Sequence, residues 1–319
     1  MDIEQNYISY PIARIYPDCQ LPADLYLFLG GHFVKYKNTG DNIDKAKYEL
    51  FILQRVSFVF IRHEDNQAYN DWSNQYKQKE AEFLQKEMGV ENKAAINAHL
   101  NVKEAFFDFL SKDITDENVK ELADRTRVFV DKVKDQKLGD RFLAKLQLYG
   151  QGMADHCTNV ANLSVFFAMS TGHDHQVALE NIYLGALLHD YGKLKIDAKF
   201  FEKKGSLEYQ QAMQRHPDLG KTALILDGGF NEEILRIIQE HHEHHDGSGY
   251  PKKMRGGRIY ELTKIVSIAN YFDNIVIELS GDIKTRQFKA IKELEKDQGH
   301  MFDPKILAKC LKALAAALS

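Results

Sequence analysis

Residues 234–251 read Ile234-Leu235-Arg236-Ile237-Ile238-Gln239-Glu240-His241-His242-Glu243-His244-His245-Asp246-Gly247-Ser248-Gly249-Tyr250-Pro251. The apolar positions Ile234, Leu235, Ile237 and Ile238 predict a short helix that runs straight into four imidazoles in five positions. Imidazoles in that number are unfavourable to bury unless a metal ion or an acid neutralises them. The Gly-Ser-Gly-Tyr-Pro that follows predicts a tight loop able to pass close to a ligand. A polyhistidine stretch on the surface is the plain alternative, and the apolar helix feeding the cluster argues against it. Glu243 and Asp246 read equally as acids supporting neighbouring imidazoles or as solvated loop charges.

The rest of the histidine distribution points the same way. Nine of the 13 histidines lie between His156 and His245. A second cluster, Leu187-Leu188-His189-Asp190-Tyr191-Gly192-Lys193, ends an apolar helix in adjacent His and Asp, with Gly192 expected as its C-cap. Neutral imidazole and carboxylate suit Mn, Fe or Zn, and one carboxylate has two oxygens with which to bridge two cations. Lys193 follows within reach as a compact charge for a phosphate oxygen. A His-Asp pair alone is ordinary surface decoration. His216, in Arg215-His216-Pro217, and His156, ahead of Val160, Leu163, Phe166 and Phe167, would each alone be an ordinary core or surface histidine. Beside the two clusters they read as ligands.

The bulk of the chain sets the frame. It has 319 residues, 44% hydrophobic and 28% charged, with 42 basic and 46 acidic side chains for a net charge of −4. That balance argues against a polymeric nucleic acid as partner. Cys19, Cys157 and Cys310 are odd in number and widely spaced, which fits a reducing cytoplasm rather than a disulfide framework. No signal-peptide pattern opens the chain and no apolar run approaches the roughly 20 residues of a membrane span, so a cytoplasmic protein without membrane insertion is expected. Residues 1–70 predict a small α/β regulatory or docking domain. Its three visible strands include Leu25–Leu29 and Phe33–Tyr36 around a Gly30-Gly31 turn and a buried strand at Val56–Ile61, with a helix starting near Asp44. Residues 71–145 predict a helical connector, with Val119, Leu122, Thr126, Phe129 and Val133 on one helix face. A homodimer contact or signalling-protein partner is assigned to residues 1–145. Residues 146–319 predict a helical domain ending in the amphipathic segment Lys305–Leu318.

Three elements in order, His-Asp-x-Gly-Lys at 189–193, His-Pro at 216–217 and His-His-Glu-x-x-Asp-Gly-x-Gly-Tyr-Pro at 241–251, resemble the HD-GYP family, a branch of the HD metal-dependent phosphohydrolases. The likeness covers about residues 148–310. It implies a mainly α fold, with a C-terminal bundle of about seven helices behind the small α/β domain and the connector. It implies hydrolysis of cyclic di-GMP to pGpG or GMP at two divalent cations, Fe or Mn. Matched by position, the metal ligands are His156, His189, bridging Asp190, His216, His241, His242 and Asn270. Asp190 and Lys193 carry the catalysis, with a hydroxide shared by the cations as nucleophile. Lys193 and Tyr250 contact or shape the substrate site, and Lys252 and Arg255 follow as cations for an anionic dinucleotide.

Three positions depart from the family pattern. Asn270 stands where the family has a metal-binding Asp, which predicts a more weakly held ion. Gly152 stands where trinuclear members have a glutamate. The segment Ser280-Gly281-Asp282-Ile283 replaces an Arg-Pro-x-Tyr that holds substrate in relatives. Two other readings therefore stay open: a receptor or scaffold that binds metal and cyclic dinucleotide with little turnover, and a phosphohydrolase acting on another cyclic dinucleotide or nucleotide.

Overall fold

This computed structural model describes residues 6–54, 56, 58–135, 143, 146, 153–201 and 205–318, so Gly152 and part of segment 71–145 lie outside the described residues. The chain divides into two compact units, Met1–Asp113 and Ile114–Ser319.

The N-terminal unit holds β1 (Tyr7–Pro11), β2 (Leu25–Leu29), β3 (His32–Lys37), α1 (Lys45–Leu53), β4 (Phe58–Arg62), α2 (Asn66–Met88) and α3 (Lys93–Ser111). The strands form one sheet in the order β1-β4-β2-β3, with every pair antiparallel. The Gly30-Gly31 turn joins β2 to β3 as expected, and Asp44 caps the start of α1 by accepting from Lys47 N at 2.8 Å. Two expectations change. A fourth strand, β1, is present at the sheet edge. Its Tyr-Ile-Ser-Tyr-Pro sequence ends on a proline, which an edge tolerates because no ladder donor is needed there. The strand expected to be buried, β4, is buried only at Val59 and Ile61, while Phe58 on the other face is 39% exposed. On the covered face Tyr10 packs on Tyr69 of α2, and its hydroxyl donates to Tyr69 O at 3.1 Å. α2 and α3 are tied by Lys77–Glu104 and Lys103–Glu80 pairs.

The C-terminal unit begins with α4 (Asp116–Asp135) and continues through α5 (Met153–Thr171), α6 (Gln176–Leu188), α7 (Leu207–Gly228), α8 (Glu232–Glu240), α9 (Glu261–Glu278), α10 (Ile283–Leu294) and α11 (Pro304–Leu318). The seven from α5 to α11 are the expected bundle. The segment read as a connector is divided: α2 and α3 pack in the first unit, and α4 in the second. The cause is the apolar stripe of α4, where Leu122, Thr126, Phe129, Val130 and Val133 are buried and Phe129 lies 5.2 Å from Tyr183 of α6, ring to ring. α5 is the central rod. Cys157, Val160, Ala161, Leu163, Val165, Phe166 and Phe167 are buried around its whole circumference, as befits a helix with neighbours on every side. It packs against α6, α9 and α11. Side-chain caps start α7 (Ser206 to Tyr209 N, 3.1 Å), α8 (Asn231 to Ile234 N, 3.0 Å) and α10 (Asp282 to Thr285 N, 3.0 Å). Among the described residues no helix is long and apolar enough to cross a membrane.

Gly192 is not the C-cap that was expected. α6 ends on His189 in right-handed geometry, and Gly192 sits inside the 3-10 turn Tyr191–Lys195. A Cβ there would lie 1.8 Å from His216 O and 2.6 Å from Gly220 N. Glycine is required because this turn lies directly on the backbone of α7, and that contact brings Asp190 to His216. Gly192→Ala is expected to lower the unfolding free energy by about 3 kcal/mol, read as a lower urea midpoint. A wild-type midpoint would refute so close a contact.

Candidate metal centre

His156, His189, His216 and His241 are each aimed by a backbone carbonyl or an acid behind the ring. α6 ends at Leu188, so its last carbonyls lack helical partners, and His189 Nδ1 donates to Ala186 O at 2.6 Å. α8 ends at Glu240, and His241 Nδ1 donates to Ile238 O at 2.8 Å. His216 lies inside α7, but Pro217 has no N–H to offer the carbonyl four residues back. His216 Nδ1 fills that gap, donating to Met213 O at 2.6 Å. His156 uses a carboxylate instead, with Nδ1 2.7 Å from Asp273 Oδ2. Carbonyls and carboxylates only accept, so each of these rings keeps a proton on Nδ1, and the neutral ring presents Nε2 as a lone pair.

Those lone pairs converge on Asp190. Its Oδ2 lies 3.5 Å from His189 Nε2, 3.8 Å from His156 Nε2 and 2.5 Å from Lys193 Nζ. Its Oδ1 lies 3.2 Å from His216 Nε2 and 3.9 Å from His241 Nε2. The donor atoms fall into two groups that share Asp190. His156, His189 and Asp190 form one, and Asp190, His216, His241 and His242 form the other, with the atoms of each within 4.8 Å of one another. His189, Asp190, His216 and His241 are each no more than 2% exposed.

The donor set fits cations. His216 Nε2 and His241 Nε2 are 3.1 Å apart, and two neutral rings with their protons on Nδ1 have no hydrogen to share there. Two facing lone pairs repel unless a positive ion lies between them. About 3 Å is also the separation of two nitrogens each roughly 2.1 Å from one ion and at right angles about it. Buried His189 Nε2 and Asp190 Oδ1 likewise have no hydrogen-bond partner. Burial pushes His189 down to about 4 and His241 and His242 well below the ordinary imidazole value, with neighbouring rings adding to the effect on the latter two. These rings are neutral and have no proton to lose before they ligate. Burial pushes the Asp190 carboxyl up, but His189, Lys193 and His216 outweigh it and hold the group well below the usual carboxylate range. Burial opposes the Lys193 charge, and Asp190 outweighs it, leaving the ammonium raised.

The loop after α8 holds the second histidine pair in place. Gly249 passes so close that a Cβ would lie 2.4 Å from His242 O, and Tyr250 N donates to that carbonyl at 3.0 Å. The Tyr250 ring then stacks on His242 with centroids 4.6 Å apart. Glu243 touches no ligand imidazole. It is buried and accepts from Lys252 N at 2.6 Å and Met254 N at 2.7 Å, closing the loop from within. Asp246 accepts from Ser248 N and turns away from the cluster.

The expected substrate cations are placed differently from Lys193. Lys252 Nζ donates to Gln239 Oε1 at 2.8 Å, and Arg255 lies across Gly247. Asn270 is buried on α9, where its Oδ1 accepts from Asn274 Nδ2 at 2.8 Å. Asp273, one turn further along α9, is the site residue the sequence reading missed. It is 117 positions from His156, and its sequence signal was the second acid of the family's Ala-Asp-x-x-Asp-Ala-Leu pattern, which falls on Asp273 and was given no role.

The metal-free protein should reveal this cluster in its acid stability. Unfolded imidazoles take up protons near 6.5, whereas His189 resists until about 4, so stability present above pH 6.5 is lost as the pH falls between these values. His189 alone contributes on the order of 3 kcal/mol. The melting temperature is expected to fall steadily from pH 7 to pH 4.5 in metal-free protein. A flat profile would mean that the rings are hydrated.

Comparison with known proteins agrees with this geometry. The family model described as HD domain matches residues 136–306. Over 139 residues, 42% of this chain, the sequence is 32% identical to the cyclic di-GMP phosphodiesterase response regulator RpfG of Xanthomonas campestris. Over 131 residues, 40% of this chain, it is 32% identical to the 3'3'-cGAMP-specific phosphodiesterase 3 of Vibrio cholerae. The chain spans only 36% and 28% of the lengths of these two relatives. The solved structure of Bd1817, an HDG"Y"P protein from Bdellovibrio bacteriovorus, shares the fold with a TM-score of 0.66 at 18% identity, covering 97% of this chain and all of that one. The chain belongs to the HD domain family.

Proposed function

We propose that this chain hydrolyses a phosphodiester bond of a cyclic dinucleotide, cyclic di-GMP foremost, at two divalent cations held by His156, His189, His216, His241, His242 and shared Asp190. The observation that carries this reading is the division of Asp190, one oxygen toward each group of imidazoles. Two such relatives carry cyclic di-GMP and 3'3'-cGAMP in their names, which supports the substrate class. Imidazole and carboxylate donors suit iron, manganese or zinc, and the family resemblance selects iron or manganese. Cys157 adds no thiolate, because burial first of all pushes its thiol well above the ordinary value.

The cations, when bound, supply Lewis acidity and lower the pKa of water toward neutrality. The protein does the rest. Asp190 keeps its charge in a buried site because the surrounding groups favour it. Lys193, anchored on Asp190 Oδ2, sets a positive charge beside the centre, where it neutralises a phosphoryl oxygen as negative charge builds. Tyr250 braces His242 from its outer face. Its phenol, raised by burial, stays protonated.

The test is turnover of cyclic di-GMP and of 3'3'-cGAMP by protein reconstituted anaerobically with Fe(II) or Mn(II), with products separated by chromatography. Metal-dependent formation of pGpG or GMP is expected. Asp190→Ala should lose metal and product together, and Lys193→Met should keep the metal while slowing turnover by ~10²–10³-fold. Full metal occupancy and turnover in Asp190→Ala would overturn the assignment. No product from protein holding two ions per chain would favour a receptor that binds without turnover.

A further inference from the structure

The two halves of the centre are unequal. The His216 side gathers three imidazoles around Asp190 Oδ1, and the His156 side gathers two around Oδ2, which Lys193 also occupies. Among the described His, Cys, Asp and Glu side chains, an ion on the His156 side therefore meets fewer donors, and a competing ammonium lies 2.5 Å from its shared oxygen. The same half holds the exception in ring support. His189, His216 and His241 donate Nδ1–H to neutral carbonyls, whereas His156 donates to the Asp273 carboxylate.

Asp273 is an expensive residue to place there. It is 1% exposed, on a stretch of α9 where Ile265, Val266, Ile268, Ala269 and Phe272 are all buried. A carboxylate in such surroundings is kept only where hydrogen bonds hold it, and the His156 ring supplies one of them at 2.7 Å. The partnership strengthens once Nε2 of the same ring faces a cation, because the polarised N–H then donates more strongly to the negative oxygen.

We infer that Asp273 is a positioning residue for the weaker half of the centre, orienting His156 and lending its negative charge through that ring to an ion on the His156 side. Asp273 does not touch the ion. It fixes a proton of His156 on Nδ1 and directs Nε2 toward Asp190 Oδ2. The inference rests on the two-ion reading and concerns one ion of the two.

The test is equilibrium dialysis of Mn²⁺ against wild-type protein, Asp273→Asn and Asp273→Ala, with thermal melting of the same samples. Asparagine keeps an acceptor for the ring and removes the charge, while alanine removes both. The weaker Mn²⁺ site is expected to lose affinity by about 10-fold in Asp273→Asn and about 100-fold in Asp273→Ala, with the stronger site unchanged. Two Mn²⁺ sites of wild-type affinity in Asp273→Asn would overturn the inference, even if melting fell, since a merely structural role lowers stability without touching one site. Wild-type protein that binds no Mn²⁺ would overturn the two-ion reading itself. A second readout needs no variant. Ring-nitrogen NMR of the wild type should show His156 protonated on Nδ1 with its proton shifted far downfield, and protonation on Nε2 would refute the inference.

Discussion

Everything in the C-terminal unit that bears on function depends on one electrostatic constraint: bare imidazole nitrogens converge on a single buried carboxylate. His216 Nε2 and His241 Nε2 stand 3.1 Å apart, and Asp190 Oδ1 lies 3.2 Å from the first. In a protein interior such an arrangement of acceptors is unfavourable by itself. A cation converts the repulsion among them into the attraction of each for one centre, so ion binding and folding are linked here. Lys193 supplies part of that positive charge within the chain itself, which helps explain how Asp190 can remain ionised at 2% exposure.

The aim of the rings comes from places where helical hydrogen bonding fails. Two of those places are helix ends, behind His189 and His241. The third is created by Pro217, whose missing N–H leaves Met213 O open inside α7. Each open carbonyl needs a donor, and the Nδ1–H of a histidine three residues further along provides it. One hydrogen bond then does two jobs, satisfying a buried carbonyl and selecting the tautomer that exposes Nε2. The proline is therefore part of the site, although it offers no donor atom to it.

These devices differ in how legible they were in the sequence. Local chemistry was readable: the His-Asp pair, the His-His pair, the lysine three residues after Asp190, and the helices that deliver them. The convergence of four separate segments on one carboxylate came from the family resemblance, since nothing in the spacing 156, 189, 216, 241 says that these residues meet. What escaped both was the supporting layer. Asp273 meets His156 only because α9 packs against α5. Gly192 reads as a helix terminator in isolation, and only the approach of α7 reveals a packing glycine. Glu243 sits beside the histidine pair and invites a role on imidazole, but its side chain turns inward to two backbone amides. In each case the deciding contact lies in another part of the chain. The edge strand β1 escaped for a local reason, its short mixed pattern ending on proline.

The loop from His241 to Met254 shows why its residues act as a unit. His241 is held from α9 by Ser267, whose hydroxyl donates to His241 O at 2.8 Å. His242 is held by Tyr250 from one side and, through its carbonyl, by Tyr250 N. His245 N and Asp246 N donate to Met301 O and His300 O, both at 3.0 Å, in a turn that Asp297 organises by accepting from Gly299 N and Met301 N. The segment ahead of α11 thus braces the loop that carries His241 and His242. Loosening any of these ties would let His241 Nε2 retreat from His216 Nε2, and that retreat is what relieves repulsion in the absence of an ion. The braces keep the site assembled against its own electrostatics, and this preorganisation lets the centre bind a cation without first rebuilding the loop.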